Sequence, residues 1–101
     1  MTENMFLEIV SPEAILFSSE VDSVSVPGVN GEFQMLNNHA PIVSILKKGM
    51  ILIDINSQSK IDAEILNEKI TPSKEDKNIL TLAINSGMLE LNNNKLIILA
   101  D

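Results

Sequence analysis

His39 is the only histidine in the chain, so any imidazole chemistry must run through it. A hydrolytic triad would also need a nucleophile and an orienting acid beside that ring. Serines and carboxylates are plentiful, but no G-x-S-x-G turn presents a serine for attack. His39 therefore reads as a residue that caps or packs a turn.

Metal chemistry fares no better. There is no cysteine, which removes thiolate nucleophiles, disulfides and Cys-ligated zinc together. No D-x-[DN]-x-[DN]-G calcium loop occurs, and Asp54, Asp62 and Glu64 read as a solvated acidic face. Gly28 and Gly31 stand three apart in VPGVNGEF, but no lysine follows as a phosphate-cradling loop requires. They read as turn glycines. The chain shows no catalytic, metal or cofactor site and does not read as an enzyme. What remains is a polar surface around Glu32, Gln34, Asn37, Asn38 and His39, the kind of loop-borne surface that binds partners.

The rest of the chain must position that surface. The pattern is of short strands. Met5, Leu7 and Ile9 alternate with Phe6, Glu8 and Val10. Residues 14–17 form a second strand, ended by Ser18 and Ser19. Over 21–26, Val24 and Val26 share one face and Ser23 and Ser25 the other, as in a half-buried strand. Pro27-Gly28 then turns the chain. Phe33 and Met35 should anchor 31–36 to the core, opposite Glu32 and Gln34. Asn37 and Asn38 form the next turn, since Asn tolerates the left-handed region. Strands follow at 42–46, 50–55, 79–84, 88–91 and 96–99, with Asn92, Asn93 and Asn94 turning the last hairpin. Only 61–70 is ambiguous, and there Asp62 could cap one or two helical turns. About ten strands with frequent turn signals predict one all-β domain over 1–101, a sandwich or flattened barrel.

Composition narrows the partners. The net charge is −7, with 7 basic against 14 acidic residues, so neither nucleic acid nor an anionic lipid surface is attracted. Apolar runs such as 50–53 and 96–99 are far shorter than the ~18 residues of a membrane span. The first ten residues, MTENMFLEIV, do not read as a signal peptide. Direct membrane insertion is excluded on this reading. Among hydrophobic residues only Phe6, Phe17 and Phe33 are aromatic, so Ile, Leu, Val and Met must build the core.

A series of motifs in fixed order resembles the epsilon subunit family of F-type ATP synthases. They are LEIVSPE at 7–13, FS at 17–18, VDSVSVPG at 21–28, GEF at 31–33, HAPI at 39–42, KKG at 47–49, SGMLEL at 86–91 and IILAD at 97–101. The resemblance implies an N-terminal β-sandwich at the foot of the central stalk of a proton-translocating enzyme. It implies a non-catalytic rotor subunit without a cofactor. Such a subunit binds the gamma subunit and the polar loops of the c-ring, and so couples proton flow to ATP synthesis. Its place would be peripheral, on the cytoplasmic face of the bacterial inner membrane. By motif position, Glu32 resembles the ring-facing acid, and Ser11, His39 and Ser44 resemble gamma-facing residues. Gly28, Gly31, Asn37 and Asn38 shape the turns between them. Three departures stand out. Asn37-Asn38 replaces the family's usual Pro-Gly. The stretch 57–78 is longer than its usual tight hairpin. The helical hairpin common after L-A-D would be missing in a short form. A free-standing β-sandwich adaptor or regulatory module is the rival reading.

Overall fold

The computed structural model describes residues 5–55, 67–76 and 78–101. These residues form ten strands and, among the described residues, no helix. The strands are β1 (Met5–Val10), β2 (Ile15–Val21), β3 (Ser23–Gly28), β4 (Gly31–Leu36) and β5 (Ile42–Leu46). Then come β6 (Gly49–Asp54), β7 (Thr71–Pro72), β8 (Ile79–Ile84), β9 (Gly87–Asn92) and β10 (Lys95–Ala100). The helical turns expected over 61–70 fall on residues 61–66, outside the described residues, and on 67–70. There Glu68 and Lys69 form a turn, closed by a 3.0 Å bond from the Ile70 amide to the Asn67 carbonyl.

The strands form one curled sheet ordered β2-β1-β10-β9-β5-β3-β6-β8-β7, with β4 paired to β3. The β5–β3 junction is the narrowest in it. Gly28 opposite Leu46 is the only paired position, with bonds from Val29 N to Ile45 O (3.1 Å) and Lys47 N to Pro27 O (2.8 Å) on either side. The sheet folds over at this corner. It becomes two five-stranded layers, β2-β1-β10-β9-β5 and β4-β3-β6-β8-β7, that enclose one core. Burial alternates along β1, β6 and β10. Met5, Leu7 and Ile9 of β1, Leu96 and Ile98 of β10, and Ile51 and Ile53 of β6 are all fully buried.

Several boundaries and one face differ from the sequence pattern, and the largest shifts are in β2 and β3. β2 runs on through Ser18 and Ser19 to Val21, because those serines pair with Glu8 and Leu7 of β1. Ladder pairing outweighs the turn preference of serine there. β3 continues through Pro27 and Gly28, which pair with Glu32 and Gly31. β3 is also not half-buried: Ser23 is covered as well as Val24 and Val26. β3 lies between β4 and β6, and Gln34 Nε2 donates a 3.2 Å hydrogen bond to Ser23 Oγ. The buried hydroxyl is thereby satisfied.

Candidate functional site

The outward face of the first layer is where the molecule departs from ordinary polar-out patterning. In β5, Ile42 and Leu46 turn toward the core while Val43 and Ile45 point out, 67% and 60% exposed. β9 places Met88 opposite Ile45, and β10 places Leu99 opposite Met88. Leu99 is followed across β1 by Val10, and Val10 by Ile15 of β2. One row of apolar side chains thus crosses all five strands: Ile45, Met88, Leu99, Val10, Ile15. Four inter-strand steps of about 4.8 Å carry it roughly 19 Å. Beside it runs a second row of Val43, Glu90, Ile97 and Glu8. Val10, Ser11, Ile45, Met88 and Leu99 line a shallow groove of about 540 Å³ at one end of the face.

The residues singled out in the sequence fall around this face. Ser11 closes the turn after β1. Its hydroxyl lies 3.2 Å from the Ala14 carbonyl oxygen and 3.2 Å from the Ala14 amide. His39 lies past the opposite end of the face, just before β5. Its Nδ1 is 2.7 Å from the Ala40 carbonyl oxygen, and since a carbonyl only accepts, Nδ1 carries the proton. Ser44 lies between them on β5, half-buried, with the same parity as Leu46, while Val43 and Ile45 on either side of it point outward. Glu32 is exposed on β4, two residues beyond the hairpin tip at Val29 and Asn30. The structure therefore sets Ser11 and His39 at the two ends of the apolar face, and Glu32 on the other layer.

The turns take the shapes their residues allow. Gly31 has φ 129, and a Cβ on Gly28 would stand 2.8 Å from both the Gly31 carbonyl oxygen and the Phe33 ring. Asn38 has φ 64, and Asn93 and Asn94 have φ 52 and 62. The Asn38 amide donates to Asn94 Oδ1, and Asn94 Nδ2 donates to Asn38 Oδ1 at 3.3 Å. His39 is thus seated on two interlocked turns. Among the described residues, no group of three or more His, Asp or Glu side chains could hold a metal ion.

Sequence reasoning overlooked Val43, Ile45, Met88 and Leu99. Their signal was present: IVSIL and LIIL carry apolar residues at both parities, which a strand with one solvated face does not need.

The family model for the β-sandwich domain of the ATP synthase delta/epsilon chain matches residues 4–65. The chain belongs to this ATP synthase delta/epsilon family. It is similar to the ATP synthase epsilon chain of Campylobacter curvus, 38% identical over 99 residues, which are 98% of this chain and 62% of the relative. It is also similar to the epsilon chain of Chlorobaculum tepidum, 35% identical over 95 residues, 94% of this chain and 86% of that one. The chain thus spans less than two thirds of the Campylobacter relative and most of the Chlorobaculum one. Among solved structures, a chain of the Euglena gracilis mitochondrial ATP synthase, OSCP/F1/c-ring, has the same fold. The TM-score is 0.74 at 13% identity, over 99% of this chain and 52% of that one. A chain of the Tetrahymena thermophila mitochondrial ATP synthase central stalk and c-ring shares it too, at TM-score 0.66 and 10% identity, over 98% of this chain and 64% of the other. The epsilon-type β-sandwich is the fold of this chain. No helix among the described residues is long and apolar enough to cross a membrane.

Proposed function

We propose that this domain acts as the non-catalytic central-stalk subunit of a proton-translocating F-type ATP synthase. It docks on the gamma subunit through the apolar outer face of β5, β9 and β10, with Ser11 and His39 at the two ends of that face and Ser44, on the inward parity of β5, behind it. Glu32 is offered to the polar loops of the c-ring, where an acid suits basic and polar groups. Held between stalk and ring, the domain helps lock the two together, so that proton flow through the ring drives ATP synthesis. It is then a peripheral protein on the cytoplasmic face of the bacterial inner membrane, held there by its protein partners.

The observation that carries this reading is the exposed apolar patch on the outer face. Val43, Ile45, Met88 and Leu99 are each 44–67% exposed and adjacent on one surface. Contiguous exposed apolar surface of that kind marks an interaction site. A chain with net charge −7 needs a protein partner to hold it near anionic lipid. The test is titration of the purified chain with the gamma subunit and, separately, with the c-ring of the same organism. Saturable binding to gamma supports the reading. No binding at micromolar concentration leaves the free-standing adaptor as the better account.

A further inference from the structure

Asn30 and Gly31 form the one Asn-Gly step in the sequence. They sit at the tip of the β3–β4 hairpin, and both are exposed. Nothing stands within 4 Å of where a Cβ on Gly31 would be. Three other turn asparagines differ. Asn38 and Asn94 hold each other, and Asn67 Oδ1 accepts the Lys69 amide at 2.9 Å. Each of these is also followed by a residue with a side chain, which hinders approach to its amide carbon.

We propose that Asn30 is a spontaneous modification site that converts to aspartate and isoaspartate through a cyclic imide. The Gly31 backbone nitrogen attacks Asn30 Cγ. A C–N bond forms there, the Cγ–Nδ2 bond breaks, and ammonia leaves with the proton that Gly31 nitrogen gives up. One water then adds to either imide carbonyl and opens the ring. Addition at Cγ breaks the new Cγ–N bond and gives aspartate; addition at the main-chain carbonyl carbon breaks its bond to the Gly31 nitrogen and gives isoaspartate, with one extra atom in the backbone.

The consequence is local. Conversion takes the net charge from −7 to −8 and puts the new carboxylate two residues from Glu32. Isoaspartate also lengthens the turn that closes the Gly28–Gly31 pair. The hairpin tip is thereby changed in charge and shape while the core strands are untouched.

The experiment is timed incubation of the full chain in mildly alkaline buffer, followed by digestion and mass spectrometry. The expected result is that the peptide holding Asn30 gains the mass difference between –NH2 and –OH before any other asparagine peptide does. That peptide becomes a substrate for isoaspartyl methyltransferase, and its conversion quickens as pH rises, because the attacking amide must lose its proton. Asn30→Gln loses both signals. The proposal is overturned if the Asn85-Ser86 or Asn38-His39 peptide converts first, if no asparagine converts, or if methyl labelling persists in Asn30→Gln.

Discussion

Asn38 and Asn94, 56 residues apart in sequence, bond to each other through both side-chain amides. Each also holds a positive φ, 64 and 62. Every asparagine amide offers donors and an acceptor, and each residue tolerates the left-handed region, so the pair fixes two turns with one set of contacts. The link joins the turn before β5 to the turn before β10, and so sets where His39 and the start of the apolar face lie.

Replacing Asn94 with glycine keeps the positive φ and removes the amide. Its cost should be about 0.5–1.5 kcal/mol, the net worth of an ordinary hydrogen bond. Asn38→Gly keeps the backbone donor to Asn94 Oδ1 and loses only the bond from Asn94 Nδ2, so it should cost less, and the double variant less than the sum of the two, because that bond is shared. Chemical denaturation of the four proteins measures this. Strict additivity would show that the amides do not couple.

Gly28 is the corner residue between the layers. Gly28→Ala should destabilise the chain by roughly 1–3 kcal/mol, as overpacking does. Its Cβ would press on the Gly31 carbonyl oxygen, which is backbone and cannot swing aside, and on the Phe33 ring. A lowered midpoint in urea with unchanged slope is the expected reading. An unchanged midpoint would mean that the corner can open without cost.

The architecture was legible because short runs rich in Ile, Leu, Val and Met recur between turn signals. Asn93 and Asn94 announced the last hairpin for a chemical reason, their tolerance of positive φ. The length of β2 was not legible, since Ser18 and Ser19 are turn formers until the β1 ladder captures them. Nor was the second buried face of β3, which depends on the packing around a strand flanked by β4 on one side and by β6, from farther along the chain, on the other. The outward apolar face was hidden differently. Val43 and Ile45 look like core residues in sequence, and only the structure shows that they share the outward face of β5, with Ile45 in line with Met88 and Leu99.

Leu89 and Leu91 in β9 show the opposite assignment, both 1% exposed. Leu89→Ala should cost about 2–5 kcal/mol through lost burial and the cavity left behind. Thermal melting checks it. A loss below 1 kcal/mol would show that the two layers close over the gap.

Glu32→Arg should leave stability within about 0.5 kcal/mol, because the side chain is exposed. On the proposed role it weakens coupling of ATP synthesis to proton flow in reconstituted enzyme, while gamma binding is kept. A large fall in melting temperature would instead make Glu32 a structural residue.

The docking claim is tested most directly by the affinity of Ile45→Asp for the gamma subunit, measured by calorimetry beside the wild-type chain. Ile45 is 60% exposed, so the variant should fold, losing no more than about 1 kcal/mol from the poorer strand propensity of aspartate. The account predicts that its affinity for gamma falls at least about tenfold, as for a charge set into the centre of an apolar contact. A folded Ile45→Asp chain that binds gamma as tightly as wild type would contradict it.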